Sequence, residues 1–207
     1  MFREESLWIK DKLNQLDLPA ASDILDVGSS TKKIRETIQP HIDKNVFLPL
    51  RKKGYHIAHM DKKSGDGIDI VGNIEDSGIV NEIGRDFKLV ICTSLLEHVT
   101  DVEKTAENIV HLVSQGGYLL LSVPYNYPKH ADPIDTLYRP SDRQLQELLS
   151  KFADIKVIYS DILVIRDWAY YLYRGIFPFW GFHICQFWRN FSDKFRWKIS
   201  ILLVQVS

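Results

Sequence analysis

Between residues 20 and 125, short apolar runs alternate with stretches whose apolar positions recur every three to four residues. Four runs stand out: "DILDVG" (23–28), "HIAHMD" (56–61), "FKLVICT" (87–93) and "GYLLLSVP" (117–124). Each is rich in Val, Ile or Leu without strict alternation, as in strands covered on both faces. In "STKKIRETI", Ile34 and Ile38 lie four apart behind a Ser30 or Thr31 cap. "TDVEKTAENIVHLVSQGG" places Val102, Ala106, Ile109 and Val113 on one helical stripe, capped by Thr100 or Asp101 and stopped by Gly116–Gly117. "SDRQLQELLSKF" repeats the pattern, with Ser141 as cap and Leu145, Leu148 and Leu149 inward. This alternation predicts right-handed βαβ units in an α/β fold with an open, doubly wound, mostly parallel sheet.

Both ends depart from that rhythm. Residues 1–19 read as an amphipathic helix, with Leu7, Ile9, Leu13 and Leu16 on its apolar side and an end before Pro19. "IKVIYS" (155–160) and "SILLVQVS" (200–207) read as two more strands, the last pairing antiparallel. Residues 39–54 lengthen the first crossover and are expected to form an extra surface helix or loop. Residues 1–207 are read as one domain.

Composition narrows the function. The chain has 207 residues, 45% apolar and 26% charged, with a net charge of −1. A real core is within reach, and no global field favours nucleic acid. Cys92 and Cys185 are isolated, so no metal-ligand cluster is expected from them, and a cytoplasmic setting is the simpler one. The charged N-terminus lacks the apolar core of a signal peptide.

The loop closing the first run, "ILDVGSST", carries the first chemistry. A dinucleotide site asks for G-x-G-x-x-G, so that backbone and helix N-terminus can approach a pyrophosphate. Here the register from Gly28 is G-S-S-T-K-K, and no G-K-[ST] follows. Asp26 would repel a phosphate but welcome an ammonium group, directly or by fixing the loop. A cofactor with a free amino acid end and no phosphates, such as S-adenosyl-L-methionine, fits better. Asp61 ends the second run, where an acid can accept from both ribose hydroxyls. Asn73 and Ile74 offer a polar group beside an apolar one for adenine, and Thr93 ends the third run.

At this point the chain resembles the class I S-adenosylmethionine-dependent methyltransferases, in the broad group marked by "LEHV". "ILDVGSS", the acid of "HMD", "VGNIED" and "LVICTSLLEHV" followed by "GGYLLLSVP" match in order and spacing over residues 20–125. The resemblance implies a Rossmann-like sheet, a small-molecule acceptor and methyl transfer. It places Asp26, Gly28, Ser29 and Ser30 at the methionine end, Asp61 at the ribose, Asn73 and Ile74 at the adenine, and Thr93 on the floor. The glycine-rich loop is thinned to "GSST", and Asn73 stands where relatives commonly carry an acid.

Catalytic candidates are His98 and His130. His98 follows Glu97 beyond the cofactor turn, where the competing reading is that both residues stabilise the turn. His130 lies in "VPYNYPKHADPIDTLYRPS", which also carries Asp132, Asp135, Tyr138 and Arg139, and Tyr125 and Arg139 are candidate substrate contacts. The competing reading pairs Asp135 with Arg139 as a local salt bridge. The remaining histidines, His59 among them, read as ordinary.

More than half of the aromatic residues fall between Trp168 and Trp197. Residues 166–198 are expected to form an aromatic helical insert before the last strand. It would cover its own sheet or a homodimer partner, close over an apolar acceptor, or lie peripherally on a membrane. Gly175, Pro178 and Gly181 argue against a span. A non-catalytic module docking to a membrane or protein through this insert is the alternative to an enzyme.

Overall fold

The computed structural model describes residues 1–130, 134–165 and 196–207. Seven strands form one sheet: β1 (Asp23–Val27), β2 (His56–Asp61), β3 (Ile70–Val71), β4 (Phe87–Thr93), β5 (Val113–Asn126), β6 (Ile155–Val164) and β7 (Lys198–Val206). Their spatial order is β3-β2-β1-β4-β5-β7-β6. The pairs from β3 through β5 are parallel, and β7 runs antiparallel between β5 and β6. The expected doubly wound sheet with its antiparallel last strand is therefore the fold.

The continuous apolar runs follow from burial on both faces. Leu25, Val90, Cys92, Leu119 and Leu121 belong to one core with the inward sides of α3 (Ile79–Ile83), α4 (Val102–His111) and α5 (Asp142–Leu149). Ile24, Leu89, Ile91 and Leu120 belong to the other, with Ile9 and Leu13 of α1 (Arg3–Asn14). Alternate residues of each strand thus meet different helices, and neither set faces water. Caps fall where short polar side chains can meet free amides. Asp101 accepts from the Lys104 amide and Ser141 from the Gln144 amide.

Several boundaries differ from the sequence reading. The helix expected to run to Gly116 ends at His111, and Val113 opens β5 instead of joining the helical stripe. Val113 is apolar and β-branched and fits either element; pairing with Phe87 decides it. α1 is shorter than residues 1–19, and Leu7 is exposed. Residues 39–54 are not merely a surface addition. A π-helical turn at Asp43–Phe47 and α2 (Leu48–Lys52) bury Val46, Phe47 and Leu50 in the core beside α1. Of the expected insert, 166–195 lie outside the described residues, and Lys198 already belongs to β7.

Candidate functional site

Strand order reverses between β1 and β4, because the chain leaves β1 toward β2 on one side and returns to β4 on the other. At such a point adjacent loops part and leave a crevice at the carboxyl ends of the strands. A cavity of about 1040 Å³ opens there. Asp26, Gly28, Ser29, Ser30, Asp61, Asn73, Ile74, Thr93, His98 and His130 all line it. Tyr125 and Arg139 stand off its wall, whereas Tyr127 is on it. Tyr125 is instead exposed on the strand surface. Phe2, from the start of the chain, also contributes to the wall, which the amphipathic pattern of α1 did not reveal.

The β1 loop is closed by its own hydrogen bonds. The Gly28 and Ser29 amides both donate to the Met60 carbonyl at 2.9 Å, and the Ser30 amide donates to Asp61 Oδ2 at 3.0 Å. These three amides, which a phosphate cradle would need, are already engaged. Gly28 has φ +73°, and a Cβ there would lie 3.0 Å from Leu95 Cδ1. Glycine is required here both for the left-handed backbone and for the close approach of the β4 turn.

Three residues to which the sequence assigned no role hold this loop. Parallel register sets Asp26 opposite His59, and His59 Nδ1 lies 2.9 Å from Asp26 Oδ2 in a buried pair. His59 is thus a partner of the loop acid. Arg35, also buried, donates to the carbonyls of Ser29 and Ser30 and to that of Gly67 at 2.8 Å. Burial lowers the Arg35 pKa, and the charges of Asp26 and Asp69 oppose that. The third is Lys63, whose amide donates to Asp61 Oδ1 at 3.0 Å. Both Asp61 oxygens therefore face backbone donors, and each retains a second lone pair.

The segment beyond β3 is fixed from a distance. Asn108 on α4 is buried, and its Nδ2 donates to the Ile74 carbonyl at 2.7 Å and the Asp76 carbonyl at 3.0 Å. Asn108→Ala would leave both carbonyls without that donor. A loss of about 2 kcal/mol is expected, read as a fall in Tm of about 4–8 °C by calorimetry.

Glu75 Oε1 accepts from the Thr100 amide, the Thr100 hydroxyl and the Asp101 amide at 2.6–2.8 Å. Burial alone would raise the Glu75 pKa, but these donors outweigh it and hold the group below its usual value. A depressed carboxylate stabilises the fold fully above its unfolded pKa and ceases to do so as pH falls through the folded value. Glu75→Ala should therefore lower Tm at pH 7, and the gap to wild type should close below about pH 4. Melts across that range check it.

Beyond β4, Ser94 takes φ +50° and the chain makes a short 3-10 turn, Leu96–His98. The sequence allowed Glu97 and His98 to stabilise this turn. The Glu97 carbonyl accepts from the Thr136 amide at 2.9 Å and from the Thr136 hydroxyl at 3.1 Å. The Glu97 side chain is fully buried, and neither carboxylate oxygen has a partner of hydrogen-bonding geometry among the described residues. Burial pushes its pKa up to about 8, with its own amide and Arg139 offsetting this only in part. His98 Nδ1 instead meets the Ile134 carbonyl, which ties the turn to the loop after β5.

In that loop the expected Asp135–Arg139 pair is present, with Arg139 Nη2 2.7 Å from Asp135 Oδ2. Asp135 also accepts from the amides of His130 and Leu137. Burial opposes its ionisation, but Arg139 and the two amides together hold it far below the carboxylate range. His130 Nδ1 lies 3.1 Å from the same oxygen, outside hydrogen-bonding alignment, so the contact is one of proximity. The His98 and His130 rings meet edge to face at 5.0 Å. Asp132 lies outside the described residues.

The family model described as a methyltransferase domain matches residues 4–180, and the chain belongs to that family. Its fold is that of the class I S-adenosylmethionine-dependent methyltransferases. Similar solved structures include the YcgJ protein from Bacillus subtilis, with 15% identity over 99% of this chain and 98% of that one at a TM-score of 0.54. The N-methyltransferase NodS from Bradyrhizobium japonicum, crystallised with S-adenosyl-L-homocysteine, gives 9% identity, 99% and 85% coverage and a TM-score of 0.51. The cyclase SpnF gives 14% identity, 96% and 79% coverage and a TM-score of 0.60. No curated protein matches the chain. Among the described residues no helix is long and apolar enough to cross a membrane.

Proposed function

We propose that the chain binds S-adenosyl-L-methionine in this cavity and transfers its methyl group to a small-molecule acceptor. The fold does not carry this reading by itself, since SpnF shares it. The observation that does is the β1 loop: its Gly28, Ser29 and Ser30 amides are spent internally beside two carboxylates, Asp26 and Asp61. That arrangement disfavours a pyrophosphate and suits a cofactor with a cationic amino acid end and free ribose hydroxyls. NodS was crystallised with the demethylated form of that cofactor.

The cofactor supplies an electrophilic methyl on a sulfonium whose displacement needs no proton on the leaving group. What the chain must do is hold and align. Gly28 lets the loop close over the methionine portion, and Asp26, fixed by His59, keeps that end of the cavity negative. Asp61 offers its remaining lone pairs to the ribose hydroxyls. Ile74 presents an apolar edge for adenine, and Asn73, anchored by Asp76, presents a polar one. Where the acceptor bears a proton, we assign its removal to His130 on the cavity wall, whose imidazolium Asp135 would stabilise. His98 is the second candidate.

The test is incubation with methyl-labelled cofactor and a fractionated small-molecule extract. Label should appear in one or a few low-mass products. Label confined to the unreacted cofactor across all fractions would count against the reading.

A further inference from the structure

Holding the cofactor and aligning the acceptor leave Glu97 unused. A fully buried carboxyl group whose oxygens meet no hydrogen-bonding partner among the described residues is costly, and a cation beside it would offset that cost. Around it stand two imidazoles. One ligand-type atom from each of Glu97, His98 and His130 lies within 4.8 Å of the others.

The His98 ring is also oriented. His98 Nδ1 meets the Ile134 carbonyl. A carbonyl only accepts, so the proton sits on Nδ1 and the lone pair on Nε2. That Nε2 is 3.7 Å from Glu97 Oε1. His130 Nδ1 lies 3.1 Å from Asp135 Oδ2 without hydrogen-bonding alignment, and Arg139 and the Leu137 amide hold that carboxylate in place. Histidines that ligate a metal commonly have their second nitrogen held by a carbonyl or a carboxylate, as His98 does.

We propose that Glu97, His98 and His130 form a binding site for a divalent transition-metal ion, with its remaining coordination positions open to the cavity. Two imidazole nitrogens and one carboxylate suit zinc or iron(II), for which Co²⁺ can serve as a probe, whereas magnesium, calcium and manganese favour oxygen ligands. Three protein ligands instead of four describe a site that takes a further, exchangeable ligand, and while an ion occupies it the imidazole lone pairs of His98 and His130 are not free to take a proton. The nearby wall is aromatic: Tyr127 lies 5.2 Å from His130, 5.5 Å from Phe2 and 4.8 Å from Trp197 between ring centroids. An acceptor with an apolar body and an oxygen able to coordinate the ion fits that surface. This last point rests on the methyltransferase reading, while the metal site itself does not. Sequence alone gave no ligand cluster because His130 lies more than thirty residues from Glu97–His98.

The test is titration of chelator-treated full-length protein with Co²⁺, read by visible absorption and by calorimetry. One ion per chain is expected, with a visible ligand-field band that Zn²⁺ abolishes. His130→Ala and the near-isosteric Glu97→Gln should each weaken binding by about tenfold or more. Thermal melts check that both variants fold. Absence of Co²⁺ binding by the wild type, or equal affinity in both folded variants, overturns the site. Parallel titration with S-adenosylhomocysteine separates the two proposals. Cofactor-product binding without Co²⁺ binding removes only the metal site. Co²⁺ binding without it removes the methyltransferase reading and the acceptor class.

Discussion

Asp61→Ala should weaken S-adenosylhomocysteine binding by well over tenfold, measured by titration calorimetry. Two losses combine in this variant. Ser30 and Lys63 lose the acceptor for their amides, so the β1 loop and the end of β2 lose their common anchor. The ribose hydroxyls lose a charged acceptor at the same time, and hydrogen bonds to charged groups are each worth about 1.5–3 kcal/mol. About 1.4 kcal/mol is already tenfold in affinity. Asp61→Asn should not rescue binding. Both Asp61 oxygens face backbone donors, so an amide side chain must turn its NH₂ toward one of them. Affinity unchanged in either variant would take Asp61 out of the site.

Gly28→Val should abolish measurable binding, a loss of roughly a hundredfold or more, and lower Tm as well. Left-handed backbone costs a residue with a Cβ about 1–2 kcal/mol, and a β-branched one is the least tolerant. At φ +73° that strain applies in full, and the added Cβ would meet Leu95 at 3.0 Å. The loop can escape only by changing its backbone, which breaks the Gly28 and Ser29 bonds to Met60. The cavity wall then moves with it. A Gly28→Val protein that binds S-adenosylhomocysteine as wild type does would show that the loop is not part of the site.

The fold was legible where burial imposes a pattern. β1 and β4 match their apolar runs because both faces of each are covered, and Val, Ile and Leu then mark the strand itself. β3 was missed because two residues, Ile70–Val71, carry no pattern. The start of β5 was misplaced because an apolar, β-branched Val113 satisfies a helix stripe as well as a strand. At the site, residues facing the cavity were found from their positions at strand ends. Those acting through a distant partner were not. Asn108 reaches Ile74, Glu75 reaches Thr100, Arg35 reaches Gly67 and His59 reaches Asp26, each across 25 or more residues. Local spacing holds no trace of such pairs. Glu97 was visible as an acid beside a histidine, but its burial without a partner emerges only once the Leu96–His98 turn is packed beneath the cavity.

The central claim is that the cavity is built for a phosphate-free adenosyl cofactor. Calorimetry of the purified full-length protein with S-adenosylhomocysteine and, separately, with NAD⁺ tests it most directly. The expected result is saturable binding of one S-adenosylhomocysteine per chain, lost in Asp61→Ala, with no heat from NAD⁺ under the same conditions. A folded protein that gives no signal with S-adenosylhomocysteine, or that binds NAD⁺ more tightly, would contradict the assignment.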